Sequence, residues 1–136
     1  MKTVMVFGTF DLIHKGHLSF FRQAKKLGDK VVVVVARDKS VFEAKKHWPK
    51  NNELSRIKSL RKISIADKAI LGSKTHNFHR TIRRFKPVVL ALGYDQKPSI
   101  PALKKDLLKH RIKNVKIMRL RAYKPDIYKS SKLSNR

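Results

Sequence analysis

Val31–Ala36 reads VVVVVA. Five valines in a row leave no polar alternation, so this strand is covered on both faces, as the inner strands of parallel sheets are. Upstream, Thr3–Phe7 (TVMVF) is a second short apolar run, closed by Gly8. Between the two, Leu18, Phe20, Phe21, Ala24 and Leu27 recur at steps of three and four. That spacing predicts a helix over 17–27 with one buried face, and Gly28 is placed to stop it.

Downstream the alternation continues. A helix is expected over 52–63, with Leu54, Ile57, Leu60 and Ile63 on one side. KAIL (68–71) is a short strand before Gly72, and 77–85 is a short basic helix ended by Pro87. VVLAL (88–92) is another unbroken apolar strand, stopped at Gly93. Residues 101–110 form a helix with Pro101 suited to its first turn, and 115–118 form a last strand. Residues 38–52 are polar and basic, a candidate mobile loop, and the tail after Leu120 is irregular. Strands joined by helices imply an α/β fold, a Rossmann-like, doubly wound, five-stranded parallel sheet with helices on both faces. Such sheets take ligands beyond the carboxyl ends of their strands.

The 136 residues show no repeat, no linker and no internal boundary, so 1–136 reads as a single domain. Hydrophobic residues make up 41%, enough for a core. Lys and Arg number 34 against 9 Asp and Glu, for a net charge of +25. This excludes an acidic solvating protein and points to an anionic partner. Cysteine is absent, which excludes disulfides, a thiolate nucleophile and a cysteine zinc site. The first apolar run is too short for a signal peptide. No stretch approaches the length of a membrane helix, roughly 20 residues. The expected location is cytoplasmic, with no membrane partner.

The chemistry is expected just after the first strand, in GTFDLIHKGH (Gly8–His17). Gly8 permits a tight turn and close approach of a ligand to the backbone. His14 and His17 lie three apart at a helix start, on one face. Two imidazoles would then join free backbone N–H groups at the positive helix end, a site for a phosphate gaining charge. A histidine pair of this spacing also occurs on ordinary surfaces, or as two of three metal ligands. No third ligand stands at a fixed offset, and the position directly after a strand favours function.

This stretch resembles the signature of the cytidylyltransferase-like nucleotidyltransferases, with its His-x-Gly-His core at His14–His17. The resemblance extends over nearly the whole chain. AKKLGD (24–29) and VVVARD (33–38) are similar to the family's next helix and strand, and Arg56 resembles its helix-start arginine. LGYDQ (92–96) resembles the loop after the fourth strand, and YKSSKL (128–133) the C-terminal motif at the triphosphate. Within the family, VARD, ILGS (70–73) and ALGYDQ are most similar to archaeal-type FAD synthases. Near neighbours are the glycerol-3-phosphate and ethanolamine-phosphate cytidylyltransferases.

The resemblance implies transfer of a nucleoside monophosphate from ATP or CTP to a phosphorylated acceptor, with release of pyrophosphate. FMN is the first choice of acceptor. It implies that His14 and His17 act at the α-phosphate, with Lys45 or Lys46 closing over the phosphates and Arg56 bridging them. It assigns nucleotide binding to Gly8, Thr9, Phe10, Gly93, Asp95, Ser130 and Ser131, and the acceptor side to Asp11 and Asp38, with Asp11 also shaping the signature turn. Mg2+ is implied through the nucleotide phosphates, and a homodimer as the assembly. Two departures stand out. Residues 52–56 (NELSR) lack the usual acidic approach to the arginine, and the chain ends soon after Ser131, where relatives usually continue into a fuller helix.

A reading of another class remains. RTIRRFK (80–86), LKKDLLKH (103–110) and VKIMRLRAYK (115–124) carry many cations, as a nucleic-acid-binding protein or a catalytically silent relative could. No base-reading module accompanies them. His76, His79 and His110 have no motif around them and read as surface residues.

Overall fold

The structure is a computed structural model and describes residues 2–72, 78–92 and 100–120. Five strands alternate with five helices: β1 (Thr3–Gly8), α1 (Lys15–Lys25), β2 (Lys30–Val35), α2 (Asp38–Lys45), α3 (Glu53–Arg61), β3 (Lys68–Leu71), α4 (Phe78–Phe85), β4 (Val89–Leu92), α5 (Ile100–Lys109) and β5 (Lys116–Arg119). The strands form one parallel sheet in the order β3-β2-β1-β4-β5. β1 and β2 pair in register from Thr3 against Lys30 to Gly8 against Val35.

The valine run serves both faces of this sheet. Successive residues of a strand point to opposite sides, so Val31, Val33 and Val35 join Val4 and Val6 on one face, beneath Phe21 and Ala24 of α1 and Ile57 and Leu60 of α3. Val32 and Val34 join Met5 and Leu90 on the other, against Ile82 of α4 and Leu103 and Leu107 of α5. With both faces covered, any polar residue in the run would be buried without partners. The doubly wound α/β architecture is therefore as the valines imply.

Most element boundaries fall within a residue or two of those read from the sequence, with three informative differences. First, residues 38–45 are not a loop but the helix α2. Among their described side chains one apolar residue, Val41, is buried, so no apolar stripe announces them. Their helical signal is electrical: Asp38 lies in the first turn and Lys45 in the last, each matching the helix dipole. Second, Leu54 of α3 is 70% exposed, and the buried face is Arg56, Ile57 and Leu60. A charged residue, not the leucine, occupies the N-terminal part of that stripe. Third, Gly28 does not stop α1 through a left-handed backbone, since no described glycine has positive φ. It makes room: a Cβ there would stand 2.7 Å from the Lys2 carbonyl oxygen and 2.9 Å from Val4 Cγ2.

Two of the scarce acids tie strand starts to main chain. Asp29 Oδ2 accepts the Lys2 N–H at 2.8 Å, holding the start of β1 against the start of β2. Asp67 Oδ2 accepts the Val31 N–H at 2.7 Å and the Lys25 ammonium at 2.6 Å. The Lys25 cation and these hydrogen bonds hold the Asp67 carboxyl below its usual pKa against a desolvation that works the other way.

Candidate active site

The chain leaves β1 in one direction to build β2 and β3, and later crosses to the other side of β1 to build β4 and β5. The reversal puts the switch point of the strand order between the carboxyl ends of β1 and β4, the place where doubly wound sheets take ligands. Gly8 is the last residue of β1 and begins the signature. A Cβ on Gly8 would lie 2.7 Å from Phe10 Cζ. The Phe10 ring therefore tucks directly beneath Gly8, where it is buried against Phe21 and meets His17 edge-on at 5.4 Å. Reaching that position gives Phe10 a positive φ of 53°. A left-handed bulky residue costs on the order of 1–3 kcal/mol, offset here by burial of the ring.

The turn delivers His14 to the N-cap of α1 with an extended backbone. His14 Nδ1 accepts the Gly16 N–H at 3.0 Å, and His17 Nδ1 accepts the His14 N–H at 3.3 Å. The two rings form a reciprocal capping box. Their centroids lie 4.0 Å apart at an interplanar angle of 30°. Because both Nδ1 atoms accept, each neutral ring carries its proton on Nε2. Burial lowers the His14 pKa. Burial, then the neighbouring His14, lowers that of His17 to about 3, against a smaller upward pull from the Leu12 backbone. Both rings are neutral at pH 7.

This depression has a measurable consequence. The unfolded chain binds a proton at residue 17 near pH 6.5, while the folded chain refuses it down to about 3. Between those values the unfolded state binds more protons, so stability falls as pH is lowered through the window. At about 1.4 kcal/mol per pKa unit, the loss amounts to several kcal/mol at its limit. Urea unfolding at stepped pH should show the wild type losing stability faster than His17→Asn, whose side-chain oxygen can replace Nδ1 as acceptor but does not titrate. Equal slopes would mean that His17 is ordinarily protonated.

Behind the histidines, Arg56 is 1% exposed. Its Nη1 donates to the Thr9 carbonyl at 2.8 Å, its Nε to the Asn51 carbonyl at 3.0 Å, and its Nη2 to Asp38 Oδ1 at 2.7 Å. One guanidinium thus joins the signature loop, the approach to α3 and the start of α2. Asp11 closes the other side: its carboxylate accepts the Lys50 N–H at 2.7 Å and the Asn51 N–H at 2.8 Å, and the Asn51 amide returns a bond to the Asp11 carbonyl. Glu53 Oε1 accepts the Asp38 N–H at 2.9 Å and its Oε2 pairs with Arg37 at 3.4 Å. Arg37 in turn donates to the Gly72 carbonyl at the end of β3.

The structure brings together Gly8, Thr9, Phe10, His14 and His17, and connects Asp11, Asp38 and Arg56 to them through the network above. Arg56 and Asp11 are both engaged with protein groups. Lys45 ends α2 and Lys46 is its left-handed cap, at the head of the loop that remains over 46–52, and both are exposed. Gly93, Asp95, Ser130, Ser131 and His76 lie outside the described residues. Arg37, Asn51 and Glu53 were missed. The signal for Glu53 was available: in a chain with nine acids, each one is worth placing. His79 and His110, read as separate surface residues, stack on each other at 3.9 Å.

Fold and site together define a nucleotidyltransferase. The chain belongs to the cytidylyltransferase-like family, which matches residues 5–136. It is 38% identical to an FAD synthase of Thermococcus sibiricus over 96% of this chain and 88% of the relative. It is 44% identical to an FAD synthase of Archaeoglobus fulgidus over 86% and 82%. Among solved structures, a lipopolysaccharide core biosynthesis protein of Thermoplasma volcanium is 38% identical, with a TM-score of 0.84 over 90% of this chain and 98% of that one. A pantoate–β-alanine ligase of Francisella tularensis, at 20% identity and a TM-score of 0.69 over 99% of this chain and 65% of that one, shares the fold.

Proposed function

We propose that this chain is an FAD synthase that transfers AMP from ATP to the phosphate of FMN. An FMN phosphate oxygen attacks the α-phosphorus of ATP, the bond to the β-phosphate breaks, and pyrophosphate leaves. The observation that carries the reading is the histidine pair at the carboxyl end of β1, with both Nδ1 atoms committed and the ring protons directed to Nε2. Curated relatives named FAD synthase supply the choice of acceptor.

The attacking phosphate is an anion at neutral pH, so the reaction calls for no strong general base. What it needs is placement and stabilisation of charge on the α-phosphate. In this reading the Nε2–H of His14 donates to the α-phosphate oxygens, and the ring N–H of His17 joins it by giving up its hydrogen bond to the Leu12 backbone. Backbone N–H groups of Thr9 and Phe10 meet the neighbouring phosphates. Lys45 and Lys46 approach from the end of α2. Neutral rings suit the task, because they donate without repelling nearby cations.

Asp11, Asp38 and Arg56 hold the frame. Gly93, Asp95, Ser130 and Ser131 complete the nucleotide side. The site's donors are N–H groups, which fit an anion and not a cation, so Mg2+ belongs on the triphosphate oxygens with its waters. A homodimer in the cytoplasm completes the reading. No described helix is long and apolar enough to cross a membrane. Exposed cations on α4 and α5, among them Arg83, Arg84, Lys104 and Lys105, would gather anionic substrates.

The test is a pyrophosphate-release panel crossing ATP and CTP with FMN, glycerol 3-phosphate, phosphoethanolamine and phosphocholine. Release with ATP and FMN is the expected result. Turnover confined to CTP and a small alcohol phosphate would replace FMN as the acceptor. No release with any pair, together with salt-sensitive RNA binding, would overturn the enzymatic reading.

A further inference from the structure

Trp48 is the chain's one tryptophan, and it is 58% exposed. It stacks on Phe42 of α2, with ring centroids 4.6 Å apart and planes at 18°. One face of the indole is thus covered by Phe42, and its exposure lies on the opposite face and the edges. Leu54 and Leu108 are also exposed, but Trp48 is the exposed residue held flat against a second ring, with a large planar surface left in water.

The pair is held in place. Pro49 restricts the backbone of Trp48 to extended conformations. His47 Nδ1 lies 3.2 Å from the Trp48 carbonyl oxygen. Two residues further on, the Asp11 carboxylate grips the Lys50 and Asn51 N–H groups. Two residues span at most about 7 Å, so the backbone of Trp48 is tethered close to Asp11 of the signature loop. The same segment carries exposed Lys45, Lys46 and Lys50, so an occupant of the indole face lies on the side of the site where cations gather phosphorylated substrates.

We propose that the open face of Trp48, backed by Phe42 and tied to the signature loop through Asp11, stacks the isoalloxazine ring of the acceptor FMN. The inference rests on the FMN reading and deepens it by assigning a recognition residue. A planar, electron-poor tricycle complements an electron-rich indole, and a stacking face selects for an aromatic acceptor. Glycerol 3-phosphate and phosphoethanolamine have no ring to place there. The ribityl chain then carries the flavin phosphate from this rim toward His14 and His17.

The experiment titrates riboflavin and FMN into the wild type, Trp48→Leu and Trp48→Phe, following flavin fluorescence, and measures KM and kcat for FMN and ATP. Contact with indole quenches flavin emission, so the wild type is expected to quench bound riboflavin and FMN alike. Trp48→Leu is expected to lose the quenching and raise the KM for FMN about tenfold, the scale of one base stacked on an aromatic side chain. The kcat and the KM for ATP should stay unchanged, the sign of uniform binding. Trp48→Phe should keep most of the affinity for FMN. Trp48 is exposed, so both variants are expected to melt with the wild type.

An unchanged KM for FMN in Trp48→Leu, with FMN still turned over, overturns the proposal and leaves the FAD synthase reading standing. A change confined to oligomeric mass also overturns it, because a second copy would then be what covers the indole. Absence of FMN turnover in the wild type itself removes the FMN reading, and this inference with it.

Discussion

Arg56→Leu is expected to destabilise the fold by about 3–5 kcal/mol, the scale on which one partner is removed from a buried ion pair. The guanidinium is 1% exposed and bonds three groups from three segments. Leucine would fill part of the volume but leave the Thr9 and Asn51 carbonyls and the Asp38 carboxylate without their donor. Each buried acceptor so stranded costs about 1–3 kcal/mol. Asp38 is partly exposed and recovers some hydration, which holds the total near the lower end of that range. Arg56→Lys should fall between the two, because an ammonium on a flexible stem cannot reproduce a planar fork with three separate targets. Urea unfolding followed by circular dichroism reads the difference. A leucine variant within about 0.5 kcal/mol of the wild type, the range of an ordinary surface substitution, would show that the arginine braces nothing. Lost turnover in such a variant would then mark it as a phosphate ligand.

The second large effect concerns catalysis. His14→Asn and His17→Asn are each expected to lower kcat by about 10²–10³, the usual cost of removing one donor from developing charge. Asparagine is chosen because its side-chain oxygen can stand where Nδ1 accepts, keeping the capping box that orders α1. What it removes is the Nε2 end of the ring. The double variant should lose less than the product of the two single losses. The rings touch at 4.0 Å and each holds the other's loop in place, so their effects are coupled. Pyrophosphate release in single-turnover and steady-state assays measures this, with unfolding curves run beside it. Full activity in either variant would confine that histidine to capping the helix.

Much of the fold was legible because apolar pattern and sheet geometry agree. The valine run could satisfy no arrangement except a strand covered on both faces, and Phe21, Ala24, Ile57 and Leu60 line up where the helical period puts them. α2 was not legible, because a single buried valine cannot signal a period. Leu54 was misplaced for a related reason. Hydrophobicity alone assigned it to the buried stripe of α3, whereas the structure buries Arg56, whose partners on Thr9, Asp38 and Asn51 lie up to 47 residues away in sequence. The histidine pair could be located from the strand end and the helix start. Its mutual hydrogen bonds, and the neutral rings that follow from them, needed coordinates. The contact between Trp48 and Phe42 was likewise invisible, since it joins a helix unseen in the sequence to a polar, basic loop in which Trp48 could equally pack or meet a ligand.

The few carboxylates have a consequence for the chain's charge. Asp11, Asp29, Glu53 and Asp67 each grip a backbone N–H in another part of the chain, and Asp38 grips a buried guanidinium. They are fasteners, and apart from Asp67, which also pairs with Lys25, their carboxylates are spent on the frame. The lysines and arginines of the helix exteriors have few such duties. These five acids are therefore fixed in place by the fold, while the excess of positive charge on the described helix exteriors is a coating that can be thinned or reversed at the surface. Relatives built on the same fasteners can differ widely in isoelectric point, and a less basic form of this protein can be made by changing its exterior alone.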